Sequence, residues 1–406
     1  MKTLSTTSTV SLLPDTFITE SGVSIRTGDN LWRIADLGRV LYVNFTPIES
    51  IVSPDLLTSL KKTSIYYFQS KSAHHAANTT NIFIHLIRTI NPEKTLDIVD
   101  EKHLINYKSC LKEREQWLLT SLKGFLLKWY DLGYHGLDQE VPRFLRGLRL
   151  KGNSKGDAIR TMHPEKGPFT DEEVQSLYHS SSGAFSDGRI TLQQYVLILL
   201  FLALGARPSQ YASLKLSDLE VSRAADGTPN FVLQMPRAKQ REEFYRAQFR
   251  PRRLDPDIGK LLETLAQSVR LEAKSLADEG GIAPVEVSGI LPLFPRWNST
   301  MPVGFDHHAN GDQLATELKK IEKVLELNSP RTGERLKLFP TRFRRTLGTR
   351  AAQEGQGPLV IAGLLDHEDT QNVGVYVEAT PRIAERINKA VALELAPIAQ
   401  AFCGLL

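Results

Sequence analysis

Ten apolar residues in a row, Tyr195 to Leu204 (YVLILLFLAL), constrain this chain more than any other stretch. A helix that crosses a bilayer needs about 20 such residues, and this run has half that length. A segment apolar on all sides and too short for a membrane reads as a helix buried on every face. A sizeable domain must wrap around it. At 406 residues the chain exceeds one ordinary core, so two or three domains are expected. Its 41% hydrophobic and 24% charged residues are those of a soluble globular protein.

The regions around that helix differ in periodicity. Residues 1–52 hold short strand-like pieces, SGVSIRT and RVLYVNF, with TGDN as a turn. From 53 to 150 the apolar residues recur three and four apart, which predicts a bundle of four short helices. A basic stretch follows over 143–166: Arg143, Arg146, Arg149, Lys151, Lys155, Arg160 and Lys166 face only Asp157 and Glu165. Its 151–167 portion reads as an inter-domain linker, either a solvated hinge or a strap over a phosphate backbone. Thr170, with Glu173 three residues on, marks a capped helix start. After the buried run come three strand-like segments, DLEVSRA, NFVLQMPR and EFYRAQFRPRRL, joined by turns as a meander. Helices are expected near 255–278, 311–327, 341–353, 357–365 and 381–401. In the second of these, Leu314, Leu318, Ile321 and Leu325 form one core-facing stripe.

Several chemistries find no support. Only Cys110 and Cys403 occur, so neither a disulfide framework nor a thiolate zinc site is expected, which fits a reducing cytoplasm. The N-terminus has one Lys and no long apolar core, unlike a signal peptide. No phosphate-binding G-x-x-x-x-G-K-[ST] loop exists. His74-His75 and His307-His308 lack companions at metal spacing and read as surface histidines. No metal or cofactor is expected. A net charge of +4 with pI about 8.8 is mildly basic and does not by itself imply nucleic acid.

Against that background one ordered set stands out: Arg207, Arg344, His367 twenty-three residues later, and Tyr376 nine residues after that. A tyrosine hydroxyl has an unperturbed pKa near 10, so it needs cationic neighbours and a proton acceptor to act as a nucleophile. A phosphate under attack gains charge as it becomes five-coordinate. Arginine suits it, with a planar fork that gives two parallel hydrogen bonds and a charge it does not lose. A leaving 5′ hydroxyl needs a proton, which a lysine or histidine delivers. A phosphotyrosine link keeps the energy of the diester, so rejoining needs no nucleotide.

Residues 168–380 resemble the catalytic domain of the tyrosine recombinases, the phage integrase family. Its first arginine box, roughly G-x-R-x-S-E-x-x-x-L-x-x-x-D, is matched by Gly205, Arg207, Ser209, Gln210, Leu214 and Asp218. Its H-x-x-R box is matched by Thr341 to Arg344. Its L-L-G-H box with a tyrosine nine residues on is matched by Leu364, Leu365, Asp366, His367 and Tyr376. Lys239 occupies the place of the family's lysine in a meander turn. The resemblance implies a mainly α fold with a small antiparallel β-meander (α+β): a helical core-binding domain over 53–150 that clamps DNA, and the catalytic domain.

What the resemblance implies for function is a site-specific recombinase or integrase of a mobile element, working on double-stranded DNA through a 3′-phosphotyrosyl intermediate. Its catalytic residues would be Arg207, Lys239, Thr341, Arg344, His367 and Tyr376. It would act as a tetramer, alone or with sibling recombinases, in the cytoplasm at the nucleoid. The segment 381–406 either packs on its own domain or exchanges between protomers. Residues 1–52 are either an accessory DNA-contacting arm or a packing extension; the lack of a basic cluster favours the second. Competing readings are a type IB topoisomerase and a non-catalytic DNA-binding protein on the same scaffold.

Three positions depart from the family pattern. Thr341 replaces a histidine; its hydroxyl donates a hydrogen bond but is no acid or base near neutral pH. Gln210 replaces a glutamate that orients the first arginine, which leaves Arg207 less firmly held. Asp366 replaces a glycine and sets a carboxylate beside His367, although adjacent helical residues do not face each other. Basic runs over 236–253 and 331–350 point to DNA contact. With the linker they make Arg143, Arg146, Arg149, Lys151, Arg237, Arg241, Arg342 and Arg345 the candidate DNA-binding residues.

Overall fold

Strand alternation and helical stripes build two compact units, residues 1–153 and 154–406. This computed structural model describes residues 13–20, 22–36, 39–149, 156–238, 246–280, 291–299, 304–367 and 373–378. In the first unit β1 (Thr16–Ile18) pairs antiparallel with β2 (Ser24–Arg26), and β3 (Leu31–Asp36) with β4 (Arg39–Asn44). Every second residue points inward, so Phe17 meets Ile25 and Trp32 meets Val43, all four buried. The Trp32 ring lies 5.1, 4.9 and 6.1 Å from those of Phe17, Phe45 and Phe68. Phe68 belongs to α2 (Pro54–Ser70), so the hairpins share one core with the helices. Sequence reading puts a boundary at residue 52; the core runs across it.

A buried lysine fastens this junction. Lys61 of α2 is 5% exposed and its ammonium donates, at 3.1 Å each, to Thr27 O, Asp29 O and Asn30 Oδ1 in the turn before β3. Burial lowers its pKa, against the opposing pull of Glu49 and Asp29. A short α1 (Thr46–Glu49) precedes α2, and α3 (Ala73–Ile90), α4 (Glu101–Cys110) and α5 (Trp117–Asp131) complete the expected four-helix set. Capping explains two starts: Ser53 Oγ accepts from Leu56 N, and Asp100 Oδ1 from His103 N. A further helix, α6 (Val141–Gly147), takes up the beginning of the basic stretch.

The second unit is wound around α9 (Leu192–Leu204), whose residues Tyr195 to Phe201 are buried without a break. Burying such side chains contributes about 2 kcal/mol each. Thr191 Oγ1 and Gln194 cap its start reciprocally, and Gly205 ends it in left-handed backbone at φ 51. After α7 (Asp157–Arg160), α8 (Asp171–Ser186) packs on α9, as do α11 (Pro256–Asp278), α12 (Gly311–Leu325) and α13 (Pro340–Gln353). Leu314, Leu318, Ile321 and Leu325 face that core.

Between α10 (Pro208–Ala212) and α11 lies the meander, ordered β5 (Leu219–Arg223), β6 (Pro229–Pro236), β7 (Phe249–Arg253), all antiparallel. The third strand starts at Phe249, later than Glu243 where its pattern begins, with Arg246 in left-handed backbone ahead of it. The fold is mainly helical with small antiparallel sheets. Among the described residues no helix is long and apolar enough to cross a membrane. The expectation of surface histidines fails at His308, which is fully buried with Nδ1 2.7 Å from Ala212 O. Burial pushes its pKa down to about 4.

Candidate active site

Helix α13 presents two faces with different tasks. Residues four apart share a face, and Arg342 and Thr346 point into the protein. Arg342 is 1% exposed. Its guanidinium donates to Glu173 Oε2 at 3.0 Å, Pro164 O at 2.7 Å, Gly167 O at 3.1 Å and Lys337 O at 3.1 Å, and lies 4.2 Å over the Phe169 ring. This corrects the expectation that Arg342 contacts DNA: its donors are consumed inside the core. Glu173, itself fully buried, also takes Arg331 at 3.2 Å and caps α8 through Thr170 N. A residue legible only as half of a capping box is thus the anchor of α13.

The opposite face carries Thr341, Arg344 and Gly348. Arg344 donates to Gly205 O at 3.3 Å and to Leu365 O. Burial, and then its neighbour Arg207, lowers its pKa to about 10, which leaves it cationic at neutral pH. Gly205 permits the approach: a Cβ there would stand 3.2 Å from Arg344 Cα and from Leu347 Cβ. Arg207, at the start of α10, donates through NH1 to Asp366 O at 3.1 Å. Both arginines therefore rest on carbonyls at the C-terminal end of α14 (Pro358–Leu364). Arg250 and Arg252 of β7 do the same at Gly363 O, and Arg252 also reaches Leu364 O at 2.8 Å. The last carbonyls of a helix have no partner within it, and here four guanidinium groups supply the donors.

Asp366 is turned away from the arrangement its sequence position suggests. It lies beyond the helix, at φ 49, in the left-handed region that favours glycine and tolerates Asp better than most residues. Its carboxylate, 5% exposed, accepts from Arg237 Nε at 2.9 Å, Gln210 Nε2 at 3.1 Å and Ala238 N at 3.2 Å. Arg207 NH1 is 3.6 Å away. Burial alone would raise its pKa; the hydrogen bonds from Arg237 and Ala238 outweigh that and hold it below the usual carboxylate value. Gln210, 1% exposed, does not take the Arg207 guanidinium. Its oxygen accepts the Arg207 backbone N–H at 3.0 Å, and its amide donates to Pro236 O at 2.8 Å.

Tyr376, in the helical turn 374–378, packs its ring against α13 at Gly348. A Cβ on Gly348 would meet the ring at 2.7 Å. The side chain is 6% exposed and belongs to a small apolar cluster with Ile159, Ala351, Ile361 and Leu365. Burial raises its pKa, opposed by Arg344 and Arg345. The half-buried His367 follows Asp366, its backbone N–H held by Ala362 O at 2.9 Å. Thr341 is exposed, one turn ahead of Arg344. Arg207, Arg344, His367 and Tyr376 thus gather around the end of α14 and the middle of α13. Lys239, Arg241, Lys151 and the segment 381–406 lie outside the described residues.

The other basic candidates divide by unit. Arg143, Arg146 and Arg149 are exposed in the first unit, Arg143 within 3.6 Å of Glu140. In the second, Arg237 is spent on Asp366 and on Gln248 at 2.9 Å, and Arg345 donates to Lys166 O. Arg246, three residues before β7, makes a two-pronged pair with Asp218 at 2.7 and 2.8 Å. Much of the positive charge over 236–253 and 331–350 is internal. Among the described residues no cluster of three or more His, Cys, Asp or Glu is placed to hold a metal ion.

Neither a protein-family model nor a curated protein matches the chain. Among solved structures it is similar to a lambda integrase dimer bound to a COC′ core site, at 12% identity and TM-score 0.48, covering 90% of this chain and 95% of that one. It is also similar to the XerH site-specific recombinase bound to palindromic difH substrate, at 13% identity and TM-score 0.47, covering 85% and 90%. A third is the Tn1549 transposon integrase in complex with circular intermediate DNA, at 15% identity and TM-score 0.43, covering 76% and 94%.

Proposed function

We propose that this protein cleaves and rejoins DNA as a site-specific tyrosine recombinase, serving integration, excision or transposition of a mobile element. The observation that carries the reading is the meeting of Arg207 and Arg344 at the end of α14 with Tyr376 packed one turn along α13. Two guanidinium groups there suit the two non-bridging oxygens of a phosphodiester, with geometry a lysine does not reproduce. Tyr376 is protonated at rest, because burial raises its pKa. Attack transfers that proton to an acceptor as the Tyr376 oxygen bonds to phosphorus; the bond to the 5′ oxygen breaks and that oxygen takes a proton. Lys239 is the donor to the leaving oxygen, and His367 and Thr341 assist at the phosphate. Rejoining reverses each step, with no net change in bond count and no need for a metal or nucleotide.

Covalent trapping tests this. Wild type and Tyr376→Phe are expressed with the DNA that flanks the gene, recovered under denaturing conditions, and any attached DNA is sequenced. Adducts with wild type alone are expected, and they would reveal the cleavage site. Adducts that relax supercoils without exchanging strands between duplexes would indicate a topoisomerase. Reversible binding with no adduct in either protein would leave a DNA-binding role alone.

A further inference from the structure

The geometry points to Asp366 as a positioning residue, a carboxylate moved from the first arginine box to the turn before His367, where with Gln210 it sets the direction of Arg207 and, through Arg237 and Ala238, holds the end of β6. The inference rests on the reading of the site as phosphate-binding. In the family pattern that Arg207 matches, an acidic residue stands where this chain has Gln210, and glycine stands where it has Asp366. The two departures touch: Gln210 Nε2 donates to Asp366 Oδ2 at 3.1 Å. They are one exchange rather than two independent losses.

Each contact of Asp366 reaches a different part of the site. Oδ2 lies 3.6 Å from Arg207 NH1. Oδ1 accepts Arg237 Nε at 2.9 Å, and Oδ2 accepts Ala238 N at 3.2 Å. Arg237 and Ala238 directly follow β6, so the carboxylate ties the end of that strand to the turn holding His367. A buried carboxylate without donors would be costly; this one is met by two side-chain donors and one backbone donor. Gln210 is suited to the exchange where glutamate would not be. Its amide donates both to Asp366 and to Pro236 O at 2.8 Å, and a second carboxylate there would face a carboxylate and a carbonyl.

The test is a charge-swap cycle on the full chain. Wild type, Asp366→Asn, Gln210→Glu and the double variant are compared for single-turnover adduct formation at saturating protein, on the DNA recovered with wild type, and for DNA affinity. Asp366→Asn is expected to slow adduct formation about 10- to 100-fold while affinity changes less than about threefold. Gln210→Glu alone is expected to be slower than wild type, and the double variant to regain at least tenfold over Asp366→Asn. A rate within twofold of wild type in Asp366→Asn, or a double variant no faster than that single one, overturns the assignment. Denaturant unfolding of Asp366→Asn, Arg207→Gln and their double variant gives a second readout that needs no DNA chemistry. If wild type forms no adduct, the recombinase reading fails, and the positioning role then stands or falls on coupling between residues 366 and 207. At least a fivefold non-additive effect on the unfolding constant is expected; additive effects overturn it.

Discussion

At the scale of single residues, burial decides what a charged side chain does. Arg342 and Arg344 are two positions apart on α13, yet one is sealed against Glu173 and the other rests on carbonyls in the candidate site. Removing one partner of a buried pair leaves the other charge stranded, at a cost of about 3 kcal/mol or more. Glu173→Gln strands both Arg342 and Arg331, and urea unfolding should show a loss of about that size. A loss under 1 kcal/mol would mean the pair does not anchor α13. His308 gives a pH signature. Its folded pKa of about 4 lies below the 6.5 of the unfolded chain. The unfolded state therefore binds the extra proton between those values. Stability is intact above pH 6.5 and falls by about 3 kcal/mol as pH drops toward 4. His308→Asn keeps a donor near Ala212 O and should flatten that part of the profile.

At the scale of elements, capping and periodicity made much of the fold legible, while partners distant in sequence did not show. The Thr170–Glu173 start of α8, the α12 stripe and the buried α9 are local patterns, and local patterns are what a sequence displays. Arg342 read as surface because its run, RFRR, is basic and its partner Glu173 lies 169 residues away. Asp366 read as a carboxylate set beside His367 because nothing local announces a left-handed turn at that position, nor the partners Arg237, Gln210 and Ala238. The arginines of β7 read as DNA contacts because the carbonyls they serve become acceptors only once α14 ends beside them. The Arg207, Arg344, His367 and Tyr376 set was visible through its spacing alone. Gly348 was not singled out, since its role depends on the ring above it. Gly348→Ala improves helix propensity by up to about 1 kcal/mol, yet its Cβ would press on Tyr376. Adduct formation should fall at least tenfold while the unfolding midpoint hardly moves; an unchanged rate would show that the ring does not need that seat.

At the scale of the whole molecule, two large cores stand out among the described residues, beside the small cluster around Tyr376. One gathers Phe17, Trp32, Phe68, Phe125 and Trp129; the other surrounds Val196 to Phe201. Each is large enough to fold alone. Fragments 1–153 and 154–406, the two compact units, should each unfold cooperatively when expressed separately. A fragment 1–153 without a cooperative transition would mean that its hairpins and helices need the rest of the chain.

The closing turn of α14 has a consequence for how the site waits. Four guanidinium groups crowd one short helix end, and in isolation they would repel one another. The negative pole of the helix, its last carbonyls and the Asp366 carboxylate hold them together. Should the proposed reading hold, a phosphate arriving there would not assemble the cationic nest but would compete for donors already in use. Occupancy would then be an exchange of one acceptor for another, and the helix end would be the part of the molecule that feels the loss.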